Sequence, residues 1–194
     1  MPVSFQFDFE KAVAVVTLLC SKNLPELTKG RLSKLIVLVD RDHILRYGRP
    51  VTGDVMTAME HGPIPSAMLD VFDSLESGKG EDELARELAQ FVELDRSYVY
   101  PRYRFLRMAD LSALSASDIE AVEDVTTRFG QMPFTELRRI THDLLAYKKA
   151  WESKYGNSAR MDYEDLFDGG DAAEAVVGAK EEMIENTLLQ EILS

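Results

Sequence analysis

Leu35-Ile-Val-Leu-Val-Asp-Arg-Asp-His-Ile-Leu-Arg-Tyr-Gly48 decides how this chain folds. Its first residues, Leu35–Val39, are β-prone and by themselves would suit a buried strand. The apolar pattern does not stop there. Leu32, Leu35, Ile36 and Val39 recur at i, i+3, i+4 and i+7, and His43, Ile44 and Tyr47 carry the stripe on to Gly48. About four or five turns is too long for an ordinary strand. The segment therefore reads as a helix from about Gly30 to Tyr47, with Thr28 as its cap and Gly48 as its stop. Asp42 and Arg46 stand at i,i+4 and can pair on its surface.

Working outward from Gly48, Arg49–Thr52 reads as extended, because Pro50 disfavours helix at the residue before it. Gly53–Met59 reads as a short helix or turn with Val55, Met56 and Met59 inward, broken by His61-Gly62-Pro63. Pro65 and Ser66 open a helix Pro65–Leu75 with Met68, Leu69, Phe72 and Leu75 on its apolar face. Asp40–Ser66 thus gathers two of the three histidines and two sets of chain-bending residues, Gly48/Pro50/Gly53 and Gly62/Pro63/Pro65. Such a stretch marks a structured connection and a candidate working surface.

Before it lies Phe9–Lys22, a mostly buried helix by the spacing of Val13, Val16, Thr17 and Cys20. After it come a charged loop Glu76–Asp82, a short helix within Asp82–Gln90, and a hairpin within Phe91–Leu106 turned by Asp95-Arg96-Ser97. Ser115 and Asp118 form a capping signal for a helix Ala116–Phe129. Met132-Pro133 starts another helix that ends or bends at His142-Asp143. Ala146–Tyr155 follows with Tyr147, Ala150, Trp151 and Tyr155 on one face, then a polar loop Gly156–Asp162 and a short turn Tyr163–Phe167. Gly169-Gly170 reads as a hinge, and Asp171 as the cap of a last helix reaching Leu193.

At 194 residues, with 45% hydrophobic and 29% charged residues, the chain can bury a sizeable core. Its net charge of −12 repels phosphate backbones and anionic membranes and suits a basic partner. Arg102, Arg104 and Arg107 beside tyrosines, and Arg138-Arg139, are local positives, but the surrounding acidic charge weighs against nucleic acid. The single cysteine, Cys20, lies in an apolar run and reads as a small buried hydrophobe. Ala12–Cys20 is too short to span a bilayer and follows Asp8 and Glu10 rather than a basic segment, so the expectation is a cytoplasmic protein with no membrane partner.

No phosphate-binding, dinucleotide, zinc-protease or nucleophile-elbow motif is present. His43, His61 and His142 with nearby carboxylates are metal-ligand types, and a metal-dependent hydrolase is one reading, but none of the histidines has ligand spacing. Trp151 reads either as core or as an interface anchor. Arg49 reads either as the partner of a loop-stabilising ion pair or as a contact residue.

Taken together, Leu35–Tyr47 with Gly-Arg-Pro-Val-Thr-Gly-Asp, then Met-Glu-His-Gly-Pro-Ile-Pro-Ser, resembles the opening half of the Panacea (SocA-like) antitoxin domain. Ser-Ala-Ser-Asp-Ile-Glu-Ala-Val-Glu-Asp-Val, Arg-Phe-Gly, Glu-Leu-Arg-Arg-Ile-Thr-His-Asp and the later Ala-Trp resemble its second half. The likeness covers about Leu32 to Trp151. It departs from the family pattern in a longer spacing between Thr141-His142 and Trp151, and in showing no helix-turn-helix extension. The resemblance implies a mainly helical domain of bacterial or phage toxin–antitoxin pairs. Such a domain neutralises a cognate protein toxin by direct contact, without enzymatic activity or a cofactor, and in some members delivers the toxin to a protease. It does not name the toxin. Tyr47, Gly48, Arg49, Pro50, Gly53, His61, Gly62, Pro63, His142 and Trp151 match the pattern; Tyr47, Arg49, His61 and Trp151 are the candidate partner-binding residues among them.

The resulting expectation is a mainly α fold with minor β: a compact multi-helix domain over 1–156 with a small antiparallel hairpin, and a C-terminal extension over 157–194 whose helix packs on the core.

Overall fold

The computed structural model describes residues 3–79, 82–167 and 174–193; within the last span, side chains are described for 178–185 and 187–189. The fold is mainly helical with two small antiparallel sheets. Helix α1 (Phe9–Ser21) is capped by Asp8, whose carboxylate accepts from the Lys11 N–H. Helix α2 (Lys29–Tyr47) is capped by Thr28 and closed by Gly48 in the left-handed conformation, φ 63°. The helix reading of Leu35–Val39 thus holds, and Arg46 meets Asp42 at 2.9 Å.

Helix α2 is the spine of the molecule. Leu32, Leu35, Ile36, Leu38 and Val39 join a core cluster with α1, while Val37 and Ile44 join a second cluster on the other side. The first cluster also takes in Met68 and Phe72 of α3 (Ser66–Ser77), Leu88 of α4 (Glu83–Leu88) and Val122 and Val125 of α5 (Ala116–Phe129). α5 opens with the expected capping box between Ser115 and Asp118. The second cluster draws on α7 (Leu145–Ser153) and on Ala179 and Met183 of α8 (Glu174–Leu193). Between them, α6 (Phe134–Asp143) contributes the buried Leu137 to the first cluster.

The expected hairpin exists: β3 (Val92–Asp95) pairs with β4 (Arg102–Phe105), and the Tyr103 N–H donates to the Leu27 carbonyl at 2.7 Å. A second sheet was not expected. Gly53–Met59 is not a helix or turn: Met56–Met59 is strand β1, and Gly62–Pro65 is strand β2. Glu60-His61 is the two-residue turn between them, with Met59 opposite Gly62 and Ala58 opposite Pro63. The physical reason is the period. Met56 and Ala58 are buried while Thr57 and Met59 are half-buried, an alternation of two rather than a helical stripe. Two prolines are tolerated because β2 is an edge strand that needs no further N–H donors.

The supposed polar loop Gly156–Asp162 likewise contains a strand, β5 (Ser158–Arg160), which pairs with the other side of β1. Its residues are small or polar and carry no hydrophobic alternation, so the backbone ladder alone defines it. α7 ends at Ser153, and Tyr155, expected on its apolar face, is fully exposed. Gly169-Gly170 and Asp171, read as hinge and cap, lie outside the described residues.

Gly48 carries more than the helix stop. A Cβ there would lie 2.6 Å from the Met183 backbone nitrogen, so the close seat of α8 on α2 requires glycine. Gly78 shares the left-handed conformation, φ 69°, with nothing within 4 Å of a built Cβ. Gly78→Ala should therefore cost about 1 kcal/mol from conformation alone. Gly48→Ala should cost clearly more, the surplus measuring the α2–α8 contact in urea unfolding. Equal losses would show that the contact adds nothing.

Candidate functional site

The connection Asp40–Ser66 is held by carboxylates from within. Asp40, 1% exposed, accepts from the backbone N–H groups of Val51 at 2.9 Å and Thr52 at 2.8 Å, and from the Thr52 hydroxyl at 2.5 Å. Burial pushes its carboxyl up to about 7 despite these donors. Asp54 accepts from Ala67 and Met68, the first free N–H groups of α3, both at 2.9 Å. The Asp54 carbonyl in turn receives the Tyr163 hydroxyl at 2.6 Å. The segment is thus a rigid bracket between α2 and α3, as a run of glycines and prolines suggests.

The four candidate contact residues fall into two groups with different neighbours. Tyr47 and Arg49 lie where α2 meets the start of α5. The Arg49 guanidinium sits 2.9 Å from Asp118 Oδ1 and donates to the Ser115 hydroxyl at 3.2 Å. Lys11 reaches the other Asp118 oxygen at 3.0 Å. Burial alone would raise the Asp118 carboxyl; the Ser115 N–H, Lys11 and Arg49 together hold it below its usual range. His43 packs its ring 4.6 Å from that of Tyr47. Its Nδ1 lies 2.7 Å from the Arg49 carbonyl, which only an N–H can satisfy; Nε2 lies 3.0 Å from the Ser117 hydroxyl and 3.1 Å from Asp118 Oδ1, so the neutral ring accepts from Ser117 there and the protonated ring donates to Asp118. Burial lowers the His43 pKa and favours that neutral form.

His61 and Trp151 belong to the second group, around the β1–β2 turn. His61 is exposed, and its backbone hydrogen-bonds His142 at the end of α6. The His142 ring packs 4.5 Å from Tyr147, and Tyr147 stacks on Trp151 at 6.0 Å with the rings 10° apart. Lys154 places its ammonium 3.8 Å from the Trp151 ring centre. The Tyr147 hydroxyl donates to the Met59 carbonyl at 3.0 Å, tying this aromatic column to β1. Gly62, at φ 98°, lets the turn close on it: a Cβ there would stand 2.8 Å from the His142 ring. Tyr147 thus fills the longer spacing between His142 and Trp151 noted in the sequence.

Sequence reading missed the buried cation under this turn. Lys34 is 2% exposed, and its ammonium donates to the Pro63 carbonyl at 2.8 Å. Burial first, and Arg138 second, push its pKa down to about 7. Arg31, one turn earlier and equally buried, donates to the Gly130 and Met132 carbonyls at 2.8 and 2.6 Å. The signal was present: apolar residues occupy every face of Leu32–Val39, leaving no exposed side for the charges between them.

His43 and His142 are occupied in these separate clusters, and His61 reaches His142 through its backbone. Among the described residues no group of three or more His, Cys, Asp or Glu side chains could hold a metal ion. Cys20 is buried and its thiol is pushed up to about 12, which leaves it without thiolate character at neutral pH. No helix among the described residues is long and apolar enough to cross a membrane.

Lys34 yields a pH test. Its folded pKa lies below the ordinary lysine value of 10.5, so between about pH 7 and that value the unfolded chain binds the extra proton. Stability should rise with pH from about 7 to about 9, by up to ~1 kcal/mol per pH unit. Lys34→Met should flatten this rise in chemical denaturation; an identical slope would place the charge elsewhere.

Comparison with known proteins adds the family. The model of the SocA-like antitoxin, Panacea domain, matches residues 32–152. No curated protein matches the chain, and no solved structure does. The matched span runs from α2 to α7 and contains the bracket, both carboxylate anchors and the aromatic column. The chain belongs to the SocA-like antitoxin, Panacea domain family.

Proposed function

We propose that this chain is an antitoxin that neutralises a cognate protein toxin by binding it directly, acting as a binding protein rather than an enzyme. The family match carries this reading. The structure supports it in two ways. The histidines and buried carboxylates serve the fold, and the net charge of −12 favours fast encounter with a cationic protein. Of the four candidate contacts, Arg49 is committed to Asp118 and Tyr47 to the His43 ring. His61 and Trp151 are the better placed: His61 is exposed, and Trp151 is a half-buried aromatic anchor joined to its turn through Tyr147 and His142.

A second reading is that binding delivers the toxin to a protease. Its support is an apolar strip on α8, where Ile184, Leu188 and Leu189 are exposed by 43–55%. In this version α8 is the handle and the α1–α7 body holds the toxin.

Co-expression with the product of the neighbouring gene tests both. The expected result is restored growth and a complex that co-purifies with the chain. Restoration that persists in protease-deficient cells, with unchanged toxin half-life, means sequestration; restoration lost there means delivery. His61→Ala should weaken the purified complex by about tenfold without shifting the melting temperature. Failure of the wild-type chain to restore growth would overturn the antitoxin reading.

A further inference from the structure

An acid-rimmed groove lies away from both clusters of candidate contacts. It runs between the first turns of α1, helix α4 and the 3-10 turn at Leu111–Ala113. Its volume is about 410 Å³. Phe91 and Ala109 supply apolar surface over the buried Val13; Glu10, Glu87 and Asp110 supply carboxylates. Adjoining hollows of about 310 and 640 Å³ share Glu87 with it and bring in Glu83 and Asp8.

Of the three carboxylates, Asp110 is used by the fold and accepts from the Ser112 N–H at 2.8 Å. Among the described residues neither the Glu10 nor the Glu87 carboxylate has an ion-pair or hydrogen-bond partner. Glu87 stands in the last turn of α4, where the helix dipole disfavours a negative charge. The nearby cations are largely engaged. Lys11 is bound to Asp118, while Arg107 donates to the Gln90 carbonyl at 2.8 Å and lies over the Phe91 ring at 4.8 Å. Arg86 lines only the adjoining hollow. The segment carrying Arg107 also exposes Leu106 by 56% and Met108 by 37%. Apolar surface open to water beside unpaired carboxylates is poor for an isolated protein and well matched to a partner that covers both.

We infer that this groove receives a cationic amphipathic segment of the toxin, with apolar side chains against Phe91 and Ala109 and lysine or arginine heads on Glu10, Glu87 and Asp110. Charge complementarity selects this occupant. A second copy of the chain would bring like charges together, and nucleic acid would meet a negative rim. The inference rests on the antitoxin reading and adds a contact face separate from His61 and Trp151.

The test compares the full-length chain with its E10K/E87K and E10Q/E87Q variants, and with E152K as a control on exposed α7 surface. The probe is the neighbouring gene's product, and the readouts are growth rescue, calorimetric affinity at low and raised salt, and circular dichroism. The expected result is wild-type folding with affinity down about tenfold or more for E10K/E87K, a smaller loss for E10Q/E87Q, and a weaker salt dependence in both. E152K should stay within about twofold of wild type. Unchanged binding by folded E10K/E87K would overturn the groove and leave the antitoxin reading standing. Failure of the wild-type chain to bind or rescue would overturn that reading, and this inference with it. A dimer of the wild-type chain that E10K/E87K abolishes would assign the groove to self-association and overturn the toxin segment.

Discussion

Burial of the middle of α2 on every side, over Arg31–Asp40, is the constraint from which the remaining structure follows. The stretch Arg31–Asp40, which has no solvent face, must place its charges inside, and each buried charge then needs a partner of fixed position. Arg31 finds carbonyls at the α5–α6 junction, Lys34 one on β2, and Asp40 the N–H groups of the extended connection. These bonds point outward from the spine, so they also locate what surrounds it. Hydrophobic contact alone would leave the neighbouring elements free to slide; charged groups with one satisfactory arrangement do not.

The same economy explains what the sequence disclosed. The long segments α1, α2, α5 and α8 were legible, together with Thr28 as a cap and the Ser115–Asp118 capping box. The β3–β4 hairpin was legible within Phe91–Leu106 with its turn starting at Asp95-Arg96-Ser97, although Tyr98 and Tyr100 lie in the connection and only Tyr103 in a strand. The β1–β2–β5 sheet was not. Pro63 and Pro65 argue against a strand unless it lies at an edge, and edge position is a tertiary fact. Ser158–Arg160 is strand only because β1 offers it a ladder. The family resemblance was legible, since its residues stand in order along the chain. Arg49 and Asp118, far apart in sequence, could not be paired from spacing, nor could Lys34 be matched to Pro63.

The residues that carry the resemblance are, for the most part, joints. Gly48 seats α8, Arg49 neutralises Asp118, Gly62 closes on His142, and Tyr147 links His142 to Trp151. Side chains occupied in holding elements together are poorly placed to discriminate between partners. Under the proposed function, recognition would fall to surfaces that the frame leaves unencumbered, such as the exposed His61 turn and the groove at α1 and α4. A frame of this kind can keep its fingerprint while the outer face takes different chemistry.

The aromatic column has a practical consequence. Trp151 is the only tryptophan in the chain, and it lies stacked against Tyr147 beneath the Lys154 ammonium. Excited at the red edge of its absorption, the protein emits from one indole at one joint. Ring stacking and a nearby cation set the intensity and colour of that emission. The chain therefore has a built-in optical gauge at the meeting of α6, α7 and the β1–β2 turn, readable in solution without any label.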